Sequence, residues 1–305
     1  MTLPLIFIVG PTGIGKSTFA IDLAKKINGE IINADSMQVY RDLSILTARP
    51  SSEDMKIIPH HLYGYVEGSK RYNVANWCQD ISTIIKNNKI NNVHSIIVGG
   101  TGMYIDKLIN GLIKMPSIPE RIKKDSEKYI LKNGIEKFIK EIKKIDPESL
   151  TNISTKDISR LRRIWEVYNF TNIKLSNWLK NKHNNYLLQH DYKLLLFTPD
   201  RNEIYSRVNK RFLKMMNNGA IDEVKKLISL NLDKTLPIMK AHGVPEISSY
   251  LLKSTNLDEC ILKGQQVTRN YVKRQLTWWR STSLRIYATF DKFPSEIDLN
   301  SLKFT

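Results

Sequence analysis

The sequence lacks the features that would place it outside ordinary globular enzymes. Its 305 residues include only two cysteines, Cys78 and Cys260, which excludes a disulfide framework and a cysteine zinc cluster. No apolar run approaches the ~20 residues that a membrane helix needs. Leu3–Val9 is apolar but leads directly into a glycine loop, so we interpret it as a strand and expect no signal peptide. We therefore expect a cytoplasmic protein that does not bind membranes.

Acidic residues are scarce relative to basic ones. The chain has 47 Lys and Arg against 30 Asp and Glu, a formal net charge of +17. Residues 1–110 contribute +2, residues 111–200 contribute +7 and residues 201–305 contribute +8. A general lysine bias would have charged the first third as well. The distribution therefore favours nucleic acid as a partner, bound away from the N-terminal third.

Strand-like and helix-like segments alternate in the N-terminal third. Leu3–Val9, Glu30–Ala34 and Ser95–Val98 are predicted strands, and helices are predicted over about 17–27 and over Val74–Asn87. This alternation predicts an α/β fold in which helices cover both faces of a parallel sheet.

The alternation stops near Leu112, and Pro116 and Pro119 mark a boundary. Residues 120–185 show only helical patterns, rich in lysine. The segments that follow are a strand over Tyr192–Phe197, a helix from about residue 202 and a last helix over about 257–284. We predict two domains, a core of residues 1–112 and 190–305 and a helical insertion of residues 113–189.

The pattern Gly, four residues, Gly-Lys-Ser follows the first predicted strand. Its members are Gly10, Pro11, Thr12, Gly13, Ile14, Gly15, Lys16 and Ser17. The glycines let backbone N–H groups converge on phosphate oxygens, Lys16 adds a positive charge, and Ser17 is the predicted Mg²⁺ ligand. A strand before the loop and a helix after it favour an ATP-binding type of P-loop in a P-loop kinase-like core. The pattern alone predicts a bound phosphate and leaves its carrier open.

The third predicted strand lacks an acidic end. Motor and switch NTPases usually place Asp or Glu there to bind the metal, whereas this strand ends in Gly99-Gly100-Thr101. The acidic strand end is Asp35, after the second strand. Asp35 is therefore a candidate general base toward an acceptor group, and a turn or helix-capping aspartate is the equally open alternative.

Further segments carry a resemblance to a known family. They are Asp35–Tyr40, Thr47–Pro50, Pro59–Leu62, Val98–Tyr104, Arg160–Arg163 and Thr268–Trp278. In this order and spacing, together with the loop, they resemble the tRNA dimethylallyltransferases, also called tRNA isopentenyltransferases, over almost the whole chain. Two departures stand out: Arg49 replaces the usual lysine, and His242–Pro245 replaces an Ile-Gly-Tyr-Arg-like run that is often present.

The resemblance implies transfer of a dimethylallyl group from dimethylallyl diphosphate to N6 of adenosine 37, just 3′ of the anticodon, in tRNA. It also implies release of diphosphate, Mg²⁺ as cofactor, and a helical insertion that grips the anticodon stem-loop. We expect a monomer. A P-loop kinase of a small metabolite or nucleotide, a prenyltransferase acting on free adenine nucleotides and a non-enzymatic RNA-binding ATPase remain as alternatives.

The resemblance also implies roles for the residues that match its motifs. Lys16 and Arg211 hold the leaving diphosphate, Asp35 accepts the proton, and Thr101 fixes the geometry. Arg211 is preferred to Arg207 on the same predicted helix. The residues predicted to bind tRNA are Asp35, Ser36, Met37, Gln38, Thr101, Lys123, Ser159, Arg160, Leu161, Arg162, Arg163, Arg269 and Lys273.

Helical spacing adds detail to these predictions. On the insertion helix, a predicted apolar stripe of Ile158, Leu161, Trp165 and Tyr168 leaves the arginines outside it. On the last helix, Arg269, Lys273 and Arg280 share one narrow sector. The amide of Gln38 is suited to read an adenine edge. The pair Trp278-Trp279 is interpreted as core, and His60 and His61 receive no role.

Overall fold

The computed structural model describes residues 3–113, 115–151, 153–181, 183–184, 186–187 and 190–302. The chain divides into two compact units. The first consists of Met1–Ile109 and Tyr186–Thr305, and the second of Asn110–Asn185.

The elements of the described residues are numbered here in chain order. The strands are β1 (Leu5–Val9), β2 (Gly29–Asn33), β3 (His60–His61), β4 (His94–Gly99), β5 (Leu112–Ile113), β6 (His183–Asn184), β7 (Tyr192–Phe197) and β8 (Ala288–Phe290). The helices are α1 (Lys16–Ile27), α2 (Ser52–Ile57), α3 (Val74–Ile90), α4 (Gly102–Asn110), α5 (Glu120–Asn133), α6 (Ile135–Ile145), α7 (Pro147–Leu150), α8 (Ile158–Thr171), α9 (Leu175–Leu179), α10 (Arg201–Asn217), α11 (Ala220–Ser229), α12 (Val244–Leu251) and α13 (Leu257–Arg280).

The first unit is built on a six-stranded sheet in the order β3-β2-β4-β1-β7-β8, and every neighbouring pair is parallel. β1 lies in the middle, with β4 on one side and β7 on the other. The chain forms β2, β3 and β4 on one side of β1 before it crosses to form β7 and β8 on the other. The loop after β1 therefore lies at the point where the strand order reverses, which is where parallel α/β sheets bind ligands.

The apolar strands are buried on both faces, because helices cover each face of the sheet. On one face, Ile6 and Ile8 of β1 pack with Phe19 of α1. On the other face, Phe7 of β1 packs with Trp77 of α3. This confirms the predicted α/β class and the predicted parallel sheet.

A third cluster of buried side chains joins α10, α11, α12 and α13 to the segment after β2. Phe212 of α10, Val224 of α11, Val244 of α12 and Cys260 of α13 pack there with Val39. Because α10 follows β7 directly, this cluster holds α10 and α13 near the sheet edge where the phosphate loop begins.

The second unit consists of α5–α9 and a short antiparallel pair, β5 with β6. Its core contains Phe138, Ile142, Leu161, Ile164 and Val167. The prediction that residues 120–185 are only helical was wrong at β6, because a two-residue strand has no periodicity to detect. The predicted stripe on α8 was wrong at one end, since Ile158 is 47% exposed while Ile164 is completely buried.

Most predicted elements of the first unit are confirmed within a few residues. β7 has the predicted bounds, and α13 ends at Arg280, four residues before the predicted end. The predictions missed α2, β3, β8, α11 and α12. All five are short, and β3, β8, α11 and α12 gain their stability from packing on the sheet or on α10 and α13. No helix of the described residues is both long and apolar enough to cross a membrane.

Gly264 of α13 tests the packing of α13 against α10. A Cβ at this position would overlap the ring of Phe212. Alanine normally stabilises a helix interior by about 1 kcal/mol relative to glycine, but overpacking costs about 1–3 kcal/mol. We therefore expect Gly264→Ala to lower the free energy of unfolding, as measured by urea denaturation. The additional change Phe212→Leu should recover part of the loss, and a stabilised Gly264→Ala protein would contradict this packing.

Candidate active site

The loop between β1 and α1 is pressed against its neighbours in a way that only glycine permits. Gly10, Gly13 and Gly15 have φ values of 139°, 85° and 93°. A side chain at Gly10 would overlap the backbone carbonyl of Phe197 in β7, and one at Gly13 would come within 2.5 Å of Val208 in α10. The loop therefore curls tightly at the start of α1, a geometry in which backbone N–H groups can receive an anion. The side chain of Ile14 is buried in the core, so only its backbone can face a ligand.

Two adjoining cavities open at this loop, both within the first unit. The loop cavity, of about 280 Å³, is lined among others by Lys16, Ser17 and Gly100. The second cavity, of about 250 Å³, is lined among others by Phe212 and Tyr271. Thr12, Asp35 and Arg211 line both cavities. These three residues therefore mark the boundary where groups bound in the two cavities would meet.

Lys16 folds back onto the loop that carries it. Its Nζ donates hydrogen bonds to the carbonyl oxygens of Gly10, at 2.9 Å, and Pro11, at 2.6 Å. Burial lowers the pKa of the Lys16 ammonium to about 7; the Asp35 carboxylate opposes this shift and Arg211 adds to it. The predicted cation therefore lies at the loop, but its charge is poised to change near neutral pH.

The structure brings Arg211 to the loop and leaves Arg207 elsewhere. The Nη2 of Arg211 donates a hydrogen bond to the hydroxyl oxygen of Thr12 at 2.9 Å. Burial lowers the pKa of the Arg211 guanidinium, and the Asp35 carboxylate opposes that effect. The guanidinium of Arg207 instead stacks on the ring of Phe293, 3.4 Å from its centroid. Of the two candidate arginines of α10, Arg211 is thus the one that lines the loop cavity.

The two oxygens of Asp35 have different surroundings. Oδ1 accepts hydrogen bonds from the backbone N–H groups of Met37, at 2.8 Å, and Gln38, at 3.4 Å. No group of the described residues donates a hydrogen bond to Oδ2. The side chain of Asn33 holds the turn by accepting from the Asp35 N–H and donating to its carbonyl. The turn-forming and the acceptor-facing interpretations of Asp35 are therefore compatible, because each uses one oxygen.

The residues that follow Asp35 were predicted to contact the adenine of the tRNA. They differ in which hydrogen-bonding groups remain free for it. The Ser36 N–H donates a hydrogen bond to the Thr101 hydroxyl oxygen at 3.4 Å, so the two segments meet. The Nε2 of Gln38 donates to the carbonyls of Thr47 and Ala48, at 2.9 and 3.1 Å. Both Gln38 N–H groups are thereby used, and only its Oε1 can face a ligand.

The two departures from the family pattern lie in different places. Arg49 donates hydrogen bonds to the carbonyls of Tyr40 and Arg41, so it stabilises the backbone of the segment that follows Asp35. His242 lines the second cavity, with its ring 4.6 Å from that of Tyr271. Burial lowers the pKa of His242, as does the neighbouring Arg274. The departure at His242 therefore changes a cavity wall, whereas Arg49 acts on the scaffold.

Sequence reasoning assigned no role to Tyr271 and Gln275, which come from α13. Burial raises the pKa of the Tyr271 hydroxyl, as does the charge of Asp35, so the hydroxyl stays protonated. Gln275 is buried and its Oε1 accepts a hydrogen bond from the backbone N–H of Thr12 at 2.9 Å. Both residues lie inside the Thr268–Trp278 segment, and only their contacts across the fold identify them. Of the pair predicted to be core, Trp279 is buried, and Trp278 is half-buried and packs against the same cluster.

The basic residues predicted on the insertion divide into exposed and internally bound groups. Ser159 and Arg160 are exposed, and two of the basic residues form surface ion pairs, Arg160 with Asp157 at 3.2 Å and Lys123 with Glu120 at 3.1 Å. The side chain of Leu161 is fully buried in the core of the unit, as its place in the predicted apolar stripe requires, so only its backbone is left for the predicted contact with tRNA.

Arg162 and Arg163 are the less accessible arginines of α8. Arg162 forms ion pairs with Glu127, at 2.7 Å, and Glu166, at 3.1 Å, and donates a hydrogen bond to Ser126. Burial lowers the pKa of the Arg163 guanidinium. The structure therefore commits Arg162 to the inside of its own unit and leaves Arg160 as the exposed arginine of this run.

On α13 the predicted basic row is partly free. Arg269 donates a hydrogen bond to the side-chain oxygen of Asn209 at 2.8 Å, whereas Lys273 and Arg280 are exposed.

The two histidines without a predicted role form β3, where His61 lies 2.7 Å from Glu30 and His60 contacts the carbonyl of Ile58. Within the described ranges, no group of three or more His, Cys, Asp or Glu is placed to hold a metal ion.

The position of Lys16 predicts proton uptake when an anion binds. At pH 8 a group with a pKa of about 7 is mostly neutral. A bound multivalent anion favours the charged form and raises this pKa, so Lys16 should take up a proton. Calorimetry with inorganic pyrophosphate, in buffers of different ionisation enthalpy, should show about one proton more for the wild type than for Lys16→Met.

The variant Lys16→Arg serves as the matched control, because it keeps the cation but has no proton to gain at pH 8. It should match Lys16→Met in proton uptake while binding pyrophosphate more tightly. Equal uptake by wild type and both variants would contradict a neutral Lys16 in the free protein.

Comparisons with known proteins agree with this geometry. The sequence model of the IPP transferase family matches residues 38–282, and that of isopentenyl transferase matches residues 3–62. A tRNA dimethylallyltransferase of Pelagibacter ubique is 41% identical over 281 residues, which cover 91% of this chain and 88% of the relative. One from Hyphomonas neptunium is 38% identical over 275 residues, covering 90% and 87%.

Two solved structures extend the comparison to the fold. The tRNA isopentenylpyrophosphate transferase of Bacillus halodurans is 30% identical, with a TM-score of 0.66, and the match covers 98% of this chain and 92% of that one. A eukaryotic dimethylallyltransferase acting on tRNA is 28% identical, with a TM-score of 0.77, and the match covers 90% and 69%. With a phosphate loop, an aspartate two residues after β2 and these relatives over nine-tenths of its length, the chain belongs to the tRNA dimethylallyltransferase family.

Proposed function

We propose that this protein transfers a dimethylallyl group from dimethylallyl diphosphate to N6 of adenosine 37 in tRNA. The observation that carries the proposal is the shared boundary of the two cavities. There Asp35, whose Oδ2 accepts no hydrogen bond from any described residue, lines the same space as the phosphate loop and Arg211. A base and an anion cradle that meet in one space suit the displacement of a diphosphate by an amine.

The donor's diphosphate binds in the loop cavity. Backbone N–H groups at the start of α1 face its oxygens, and Arg211 adds a buried cation from α10. Lys16 leaves the carbonyls of Gly10 and Pro11 and turns to the anion as it gains a proton. These groups neutralise the charge that grows on the diphosphate as it departs.

Ser17 is suited to bind Mg²⁺ at the same place. It lines the loop cavity, and no described residue forms a hydrogen bond with its hydroxyl. Since no acidic cluster of the described residues competes for the ion, diphosphate oxygens and water would complete the coordination. When bound, Mg²⁺ neutralises charge on the diphosphate, and the protein's own contribution is the Ser17 hydroxyl.

The reaction is an exchange of one bond for another at the allylic carbon. The N6–carbon bond forms while the carbon–oxygen bond breaks, and its electron pair leaves with the diphosphate. The adenine amine then carries one proton too many, which passes to Oδ2 of Asp35. Thr101, fixed beside Ser36, orients the amine, and Oε1 of Gln38 accepts a hydrogen bond from the base.

The adenosine reaches this site by leaving the stack of the anticodon loop. In each unit, exposed basic side chains are available to hold the backbone of the stem-loop. In the first unit these include Lys273 and Arg280 of α13. In the second they include Arg160 of α8, which would exchange its surface ion pair with Asp157 for a phosphate. Such contacts bind phosphates without reading sequence. We place this enzyme in the cytoplasm, acting as a monomer, consistent with two free, buried cysteines.

Purified protein, labelled dimethylallyl diphosphate and an unmodified anticodon stem-loop test the function directly. We expect label in the RNA at the adenosine 3′ of the anticodon, dependent on Mg²⁺, and much less label in AMP. An unlabelled RNA together with ATP-dependent phosphorylation of a metabolite would establish a kinase instead. Label in AMP at the same efficiency as in the stem-loop would establish a free-nucleotide prenyltransferase.

The two roles of Asp35 make Asp35→Asn the appropriate variant. Asparagine keeps an Oδ1 that accepts from Met37 and Gln38, so the turn survives, but it has no basic oxygen at the Oδ2 position. We expect kcat to fall by about 10²–10⁴-fold, while the affinity for the stem-loop changes by less than about twofold. Single-turnover kinetics and a binding assay measure the two effects separately. The exposed Asp22 of α1 provides the control variant Asp22→Asn, and an unchanged rate in Asp35→Asn would remove Asp35 as the base.

Lys273 tests the RNA-binding face of α13. Its side chain is exposed and borders an open groove on the helix. Loss of one phosphate contact should reduce the slope of log affinity against log salt concentration by about 0.7–0.9. We therefore expect Lys273→Ala to weaken stem-loop binding mainly at low salt, with kcat unchanged. Lys25→Ala, on the exposed side of α1, is the control, and identical salt slopes for both variants would show that this face is only solvated.

A further inference from the structure

Gln275 links helix α13 to the phosphate loop. The two partners are 263 positions apart in the sequence, and the hydrogen bond from the Thr12 N–H to Gln275 Oε1 is 2.9 Å long. A backbone N–H can only donate, so this contact also fixes which end of the Gln275 amide is the oxygen. The Gln275 side chain is 4% exposed, so it has little freedom to form another arrangement.

The same threonine carries the contact onward to Arg211. While its backbone N–H donates to Gln275, its hydroxyl oxygen accepts from Arg211 Nη2 at 2.9 Å. A continuous chain of hydrogen bonds therefore runs from α13 through the loop to α10. Its last two members, Thr12 and Arg211, line both cavities. The Thr12 N–H is consequently not one of the loop amides available to the phosphate.

The other end of the Gln275 amide packs closely against the chain and lies near the Tyr271 hydroxyl. Its Nε2 occupies the space that a Cβ at Gly100 would fill, in the turn between β4 and α4. Nε2 is buried and has no hydrogen-bond partner among the described residues. A buried donor without an acceptor is unfavourable, so an apolar side chain of equal size would suit packing better. The contact of Oε1 with the loop is thus the feature that a glutamine supplies here.

We propose that Gln275 is a positioning residue for the diphosphate site, acting through Thr12 on Arg211. The inference rests on the proposed function, because it assigns Arg211 to the leaving diphosphate. A long arginine side chain has many rotamers, and a buried guanidinium needs a fixed acceptor to hold one of them. Because Gln275 holds the Thr12 backbone, the Thr12 hydroxyl keeps a fixed position. Arg211, which donates to that hydroxyl, is therefore oriented before the diphosphate binds. Such preorganisation avoids reorientation during the reaction.

A double-mutant cycle tests this chain, with inorganic pyrophosphate as the probe and calorimetry as the measurement. Gln275→Met keeps the length of the side chain but removes the acceptor, and Thr12→Val keeps the backbone N–H but removes the hydroxyl that Arg211 contacts. Each single change should weaken pyrophosphate binding by about three- to tenfold. If the two residues act in one chain, the double variant should be about as weak as the poorer single variant. A double variant that shows the product of the two single effects would overturn the inference.

Controls separate this role from simple packing. Gln265 lies on the same helix, and its amide donates to the carbonyl of Asn209; Gln265→Met should change pyrophosphate affinity by less than about twofold. Thr12→Ser keeps the acceptor for Arg211 and should restore near wild-type binding. If Gln275→Met does not fold, as judged by its thermal transition, Gln275→Asn removes the same contact with a shorter amide and should show the same coupling to Thr12→Val.

The same titrations distinguish the failure of this inference from failure of the proposed function. A wild-type protein that does not bind pyrophosphate would contradict the assignment of the loop cavity to the diphosphate. A wild type that binds it, together with unchanged binding by Gln275→Met and Gln275→Asn, would overturn only the role of Gln275. In the transfer reaction, Gln275→Met should lower kcat while the KM for the stem-loop stays within about twofold, because Gln275 does not contact the RNA.

Discussion

The carbonyl oxygen of Phe197 lies where a side chain at position 10 would begin, and the geometry of the site depends on this close approach. Because residue 10 is glycine, β1 and β7 remain adjacent up to the point where the loop leaves the sheet. The helix that follows β7 then passes beside the loop, close enough for Val208 to touch Gly13 and for Arg211 to reach Thr12. A bulkier residue at position 10 would separate the anion cradle from its arginine.

Local patterns in the sequence predicted the parts of the fold that local patterns determine. Strand β7, the phosphate loop and the aspartate after β2 all have short-range signatures, namely apolar runs and fixed spacings. The edge strands β3 and β8 and the helices α11 and α12 do not, because their stability comes from packing partners that are distant in the sequence. Gln275 belongs to the same class: its hydrogen bond joins residues 263 positions apart, and helical periodicity says nothing about such a pair.

The charge pattern of the sequence was the poorest guide to which side chains are available to a ligand. Arg160, Arg162 and Arg163 are indistinguishable in a count of basic residues, yet Arg162 is committed to Glu127 and Glu166 while Arg160 is exposed. Likewise the side-chain amide of Gln38 could form hydrogen bonds with an adenine edge, but both of its N–H groups already donate to the carbonyls of Thr47 and Ala48. Whether a polar group is available depends on partners that only the folded chain assembles.

The turn at Asp35 has a consequence for how the reactants move. Since Oδ1 is tied to the N–H groups of Met37 and Gln38, the carboxylate cannot rotate toward an approaching amine without breaking that turn. If Asp35 acts as the proposed base, that base is stationary, and the trajectory of the incoming nucleotide determines when the reaction geometry is reached. A glutamate at this position would have the same acid–base chemistry but an extra rotatable bond, so its carboxylate would not be held at one fixed position.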